Sequence, residues 1–305
     1  MKSNIDPPVN ESSVSQSGLT FIEHHIPRDG HHLYAREYSA TGPALVLLHG
    51  FPDNLHIYDR LIPILVGAGR HVVAFDFLGF GASEKPDEYN YSFEQQRGDL
   101  EAVVEFLKLD RIVAVAHDAG GVVAINYVLS NPGRVSTLCL SNTFYGDTPT
   151  LRFPELIELF ATPGLSALAH AMLSDPAQVG FLLNFQLGQL QLGAPQALKD
   201  IGNTVLRPII VDNFFQVPSA AAAFAKLTAD IYPQMKFNND HLRDLENLDL
   251  PVKIIWGERD ADLNTGVAKD FAARFKGASL HFVDAGHWLM LDLPEEVGRF
   301  LLADV

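Results

Sequence analysis

Along the chain, short and almost wholly apolar runs alternate with longer stretches whose apolar residues recur at helical spacing. Runs of the first kind fall at 44–48, 71–75, 112–116, 135–140, 252–256 and 279–283. Such runs suit strands buried on both faces, as in a parallel sheet. Stretches with a helical period, such as 93–107, lie between most of them. The pattern predicts an α/β fold in which helices cover a mostly parallel sheet. The rhythm breaks between about 145 and 246, where the chain turns helical and apolar, with Leu, Phe, Ala and Gln prominent. A break of this kind predicts a helical cap at the C-terminal edge of the sheet, where sites form in α/β folds. The expected organisation is a flexible segment over 1–20, a core domain built from 21–144 and 247–305, and a cap over 145–246.

Composition narrows the classes of partner. A chain of 305 residues with 47% hydrophobic content can bury a large core. Lys and Arg number 22 against 37 Asp and Glu, a net charge of −15 with His neutral, which argues against nucleic acid or an anionic membrane as a partner. The opening residues are polar and lack the apolar centre of a signal peptide, and no uninterrupted apolar run is long enough to span a bilayer. The expectation is a soluble, cytoplasmic protein. The single cysteine, Cys139, lies in the run Leu138-Cys139-Leu140, so it cannot form an intramolecular disulfide and reads as a packing residue.

The most informative stretch is Ala116-His117-Asp118-Ala119-Gly120-Gly121. It has the form of a nucleophile elbow, in which small residues let a sharp strand-to-helix turn present one side chain to a pocket. A carboxylate stands where a serine is usual. A carboxylate can displace a leaving group from an alkyl carbon to form an ester, which activated water must then cleave. That chemistry points to carbon–oxygen or carbon–halogen cleavage. The preceding run suits a buried strand, and the following residues continue as a helix to about Leu129, with Asn131-Pro132-Gly133 as its stop. The competing reading of Asp118 is a helix cap.

Four segments together resemble the α/β-hydrolase superfamily, in the branch that holds epoxide hydrolases and haloalkane dehalogenases. They are His49-Gly50-Phe51-Pro52, the segment 76–83, the elbow at Asp118, and Gly286-His287-Trp288. The likeness covers the chain from about Phe21 onward. It implies an α/β-hydrolase fold with a helical cap, no cofactor and no metal. His287 would be the general base that takes a proton from the attacking water. Asp260, just past a buried strand, would hold the imidazole tautomer, with Asp262 and Glu258 close enough to compete. The oxyanion would meet the backbone N–H groups of Ala119 and Phe51. Pro52 fixes a tight turn and admits a cis bond before it. His49 reads as structural, and Asp53 and Asp76 as turn acids.

The leaving group separates the branches. Halide-binding tryptophans of the dehalogenases have no match here: Ala119 and Phe51 stand in the relevant places, and Trp256 and Trp288 lie elsewhere. The arginines that a fluoroacetate dehalogenase needs are replaced by Ala119 and Val122. Epoxide hydrolases protonate the leaving alkoxide with cap tyrosines, and Tyr232 resembles the later of the two. Phe185 stands in place of the earlier one, which leaves His170 or Tyr145 as the possible second donor. The expected function is the opening of a hydrophobic epoxide to a vicinal diol. The alternatives are a dehalogenase with an atypical halide site and a catalytically silent ligand-binding scaffold. The expected partner is a small hydrophobic molecule; the oligomeric state is not legible.

Overall fold

The computed structural model describes residues 12–15 and 17–303. Its strands are β1 (Ser12–Val14), β2 (Thr20–Arg28), β3 (His31–Tyr38), β4 (Ala44–Leu48), β5 (Val72–Phe75), β6 (Ile112–His117), β7 (Val135–Ser141), β8 (Val252–Gly257) and β9 (Ser279–Val283). They form one sheet in the order β1-β2-β3-β5-β4-β6-β7-β8-β9. From β5 to β9 every pairing is parallel, while β1, β2 and β3 add an antiparallel edge. The apolar runs of the sequence are the parallel strands, and β4, β5, β6 and β8 are buried along their whole length.

Two departures from the sequence reading concern the N-terminal edge. Residues 1–11 and 16 of the expected flexible segment lie outside the described residues, but Ser12–Val14 pairs antiparallel with β2. The main chain there completes hydrogen bonds on an otherwise open sheet edge. The hairpin of β2 and β3 carries no apolar run. It turns at Asp29 and Gly30, both at positive φ, the backbone form that a two-residue hairpin turn requires.

Between β7 and β8 the described chain forms only helices and loops, beginning with helix Glu155–Ala161 and ending with helix Leu242–Leu245. Buried Asn213, in helix Arg207–Phe215, ties this region to the core: its amide donates to the carbonyls of Pro52 (2.8 Å) and Asp53 (3.1 Å) and accepts from Gly81 N–H (3.0 Å). Asn238 in helix Ile231–Asp240 donates to Tyr145 C=O at 2.7 Å, which closes the end of the region onto its first residues.

The strand order explains where a site can form. Strand β4 lies between β5 and β6, so the chain leaves it towards one side and returns on the other. Loops at the carboxyl ends of β4 and β6 therefore part, and a crevice opens between them beneath the helices. Leu48 pairs with Ala116, which sets residues 49–52 beside Asp118.

Candidate active site

Asp118 occupies the turn between β6 and helix Ala119–Ser130, with φ 49° and ψ −129°. A non-glycine residue at positive φ is strained and needs its surroundings to hold it. Here the Asp118 N–H donates to the carbonyls of Ser141 (3.3 Å) and Asn142 (3.2 Å). Its own carbonyl accepts from Thr143 Oγ1–H at 2.6 Å and from the Gly121 N–H at 2.9 Å. The small neighbours are a matter of space: a Cβ on Gly120 would lie 2.6 Å from His49 C=O, and one on Gly50 would lie 2.4 Å from Asp118 Oδ2.

The carboxylate is partly buried at the floor of a pocket. Burial, with the charge of Asp53 adding to it, raises its pKa to about 6 against the opposing pull of His287 and of the Ala119 and Phe51 N–H groups. Phe51 N–H reaches Oδ2 at 3.3 Å, and the Phe51–Pro52 peptide is cis. His49 has the structural place read from the sequence. It is wholly buried, with Nδ1 2.5 Å from Gly50 C=O, and its Nε2 accepts from Phe77 N–H. Asp76 likewise closes turns, accepting from the N–H groups of Leu55 (2.8 Å) and Ala82 (2.7 Å).

His287 follows β9 and faces the elbow. Its Nδ1 lies 2.6 Å from Asp260 Oδ2. Burial opposes charge on the ring, but Asp260, Asp118 and Asp53 prevail and carry the pKa to about 9. Asp260 is buried and saturated with donors. Besides His287, it accepts from Asn142 Nδ2 at 2.9 Å and from the N–H groups of Asp262 (3.1 Å) and Leu263 (3.0 Å). These contacts outweigh the cost of burial and keep its pKa below the ordinary carboxylate value. Of the competing acids, Glu258 is exposed and Asp262 makes no hydrogen bond to the imidazole among the described contacts.

Several supports were not read from the sequence. Asn142, at φ 33°, braces the acid loop by accepting from Gly257 N–H at 2.7 Å while donating to Asp260. His117, just before the nucleophile, donates from Nε2 to the His287 carbonyl at 2.9 Å, and its ring lies 4.6 Å from the His287 ring. Burial, reinforced by the neighbouring His287 charge, lowers its pKa to about 3 and keeps it neutral. Asp53 is more than a turn acid: it is buried and accepts from Trp288 Nε1–H at 2.8 Å. A polar residue directly after the oxyanion loop was the only signal for it.

Above the carboxylate lies a pocket that Asp118 and His287 line together. Its walls are largely apolar, with Phe51, Phe144, Leu183, Leu187 and Ile231 among them. Its polar members are Asp118, Arg152, Gln186, Asp260, Asp262 and His287.

None of the expected proton donors from the cap lines this pocket. Ile231 does, and Tyr232, one residue on and so about 100° further round its helix, faces outward. The Tyr232 hydroxyl donates to the Glu158 carboxylate at 2.8 Å, the residue is 39% exposed, and burial together with Glu158 raises its pKa to about 12. His170 is exposed on helix Ser166–Leu173. Tyr145 is buried and donates to Asn126 Oδ1 at 2.8 Å, away from the pocket. Phe185 is also turned outward, stacked on Phe181.

Comparison with known proteins agrees with this architecture. A family model described as alpha/beta hydrolase fold matches residues 43–294. Bifunctional epoxide hydrolase 2 of Sus scrofa is 26% identical over 295 residues, spanning 86% of this chain and 51% of that protein. Haloalkane dehalogenase of Psychrobacter cryohalolentis is 33% identical over 111 residues, 36% of this chain and 37% of that one. The solved structure of epoxide hydrolase CorEH without ligand superposes with a TM-score of 0.74 at 21% identity, covering 92% of this chain and 97% of that one. With most of its length matched by the family model and its sheet arranged to suit, the chain belongs to the alpha/beta hydrolase fold family.

Proposed function

We propose that this hydrolase opens a hydrophobic epoxide to a vicinal diol through an ester on Asp118. The observation that carries the reading is the Phe51 N–H set on Asp118 Oδ2 at the floor of an apolar pocket. That oxygen already rests on an oxyanion donor, so the other is left to attack a ring carbon. Once the ester forms, Oδ2 is its carbonyl oxygen, and the charge that develops on it when water adds falls on the Phe51 and Ala119 N–H groups.

His287 supplies the base for the second step. In the resting site its proton is held by Asp260, with Asp118 and Asp53 adding to the hold. Esterification removes the Asp118 charge and thus part of that hold, so more of the imidazole is neutral and able to take a proton when a base is needed. Asp260 keeps the tautomer and the ring plane throughout.

The dehalogenase reading needs donors for a departing anion. Both tryptophans already donate elsewhere, Trp256 to Leu263 C=O at 2.7 Å and Trp288 to Asp53, which favours the epoxide. The silent-scaffold reading leaves the His287–Asp260 pair beside a reactive carboxylate without a purpose.

Product analysis with aryl and alkyl epoxides, alongside bromoalkanes, tests the proposal. Diol release should disappear in Asp118→Ala, and His287→Gln should accumulate an adduct equal to protein plus epoxide by intact mass. Halide release without diol would transfer the function to the dehalogenase reading, and neither product would favour the scaffold.

A further inference from the structure

An epoxide opening to an alkoxide needs a proton, and none of the cap side chains expected to give one reaches the pocket. Among the described polar lining residues, Asp118 is the nucleophile of the proposed reaction, and Asp260 is saturated by four donors. Gln186 is an amide with no proton to transfer, and a guanidinium such as Arg152 does not give one up at ordinary pH. Asp262 remains. It lines the pocket with Asp118 and His287, is only partly exposed, and has no hydrogen-bond donor on its carboxylate among the described contacts. Its backbone N–H is fixed on Asp260 Oδ1 at 3.1 Å, which anchors it to the loop that holds the base.

Resting on the epoxide reading, we propose that Asp262 is the general acid that protonates the leaving oxygen. An Asp118 oxygen forms a bond to a ring carbon, the carbon–oxygen bond of the ring breaks with its electron pair on oxygen, and the Asp262 carboxyl proton passes to that oxygen. In the second half, water adds to the Asp118 carbonyl carbon and gives its proton to His287 Nε2. Collapse releases the second diol oxygen, which takes that proton, and leaves Asp118 as a carboxylic acid. Its proton returns to Asp262, so the sum is epoxide plus water to diol.

The charged surroundings of Asp262 suit this role. Burial and the Asp260 and Glu155 carboxylates raise its pKa to about 6, with His287 and Arg152 opposing. A carboxyl held protonated into the mildly acidic range is a competent acid, and proton transfer from a positioned group typically contributes about 10²–10⁴-fold.

The test is single-turnover ester formation with an epoxide that the wild type converts, read by quench and intact mass across pH 5–9. Wild type should show a bell, rising as Asp118 ionises and falling as Asp262 does. In Asp262→Asn, ester formation should slow by about 10²-fold or more and lose the alkaline limb, while decay of the preformed ester should change far less. Asp262→Glu should restore part of the rate together with the alkaline limb, which a merely structural role would not predict. An Asp262→Asn enzyme with wild-type rate and limb would overturn the assignment and leave the epoxide reading standing. A wild type that forms neither ester nor diol with any epoxide would remove both.

Discussion

Trp288 donates its indole N–H to the buried carboxylate of Asp53 at 2.8 Å, across 235 residues of sequence. The bond joins the loop after β4 to the loop after β9, and it occupies a donor that would otherwise face the pocket beside His287.

Trp288→Phe should therefore lower stability by about 1–3 kcal/mol, since it removes the hydrogen bond to one oxygen of a buried carboxylate whose other oxygen has the His49 Nδ1 at 3.4 Å. Urea unfolding measures this. Chloride or bromide should not perturb Trp288 fluorescence in the wild type; a saturable change lost in Trp288→Phe would show the indole to be a halide donor after all.

Tyr232→Phe should leave diol formation within about twofold of wild type, because its hydroxyl serves Glu158 at the surface. A loss of about 10²-fold or more, the usual effect of deleting a positioned acid, would place the phenol at the leaving oxygen during turnover.

Gly50→Ala should preserve the fold but cut ester formation and ester hydrolysis together by at least about 10²-fold, the usual loss when an oxyanion donor is misplaced. The added methyl would have to occupy the space of the Asp118 carboxylate, 2.4 Å away, and would push Phe51 N–H off its target. Circular dichroism and single-turnover rates separate the two effects.

The pH response follows from charge. Asp118 attacks as the anion, and its pKa is raised to about 6, so ester formation should fall about tenfold for each unit below that value. His287 must be neutral to accept a proton from water. Ester hydrolysis should thus rise with pH to a plateau, with an apparent pKa below the value of about 9 in the resting site, because the Asp118 charge is gone. A hydrolysis rate flat from pH 5 to 9 would exclude His287 as the base.

The sequence was most legible where burial left only one kind of residue to choose. Parallel strands covered on both faces must be apolar, and β4, β6 and β8 fall where the runs put them. The β2–β3 hairpin was missed because one face is open: β2 reads TFIEHHIPR, mixing buried Phe21 and Ile26 with polar and charged positions. The positions of Asp118, Asp260 and His287 were legible for a related reason, as each follows a strand end and the topology then dictates which loops meet. Tyr232 was not, since a motif can place a residue on a helix without saying which way that helix is turned. Asp262 was visible only as a rival for another role, because its neighbours Arg152 and Glu155 lie far away in sequence.

The helical region between β7 and β8 also divides the chemistry in time. During synthesis, the proposed nucleophile Asp118 and the loop at 49–52 leave the ribosome first. The base and its acid follow only after every helix of that region has been made. On the proposed scheme a chain that stopped short of β8 would hold the nucleophile without the proton donor, the base or the acid that orients it, and the last two strands bring in every group that turns Asp118 over.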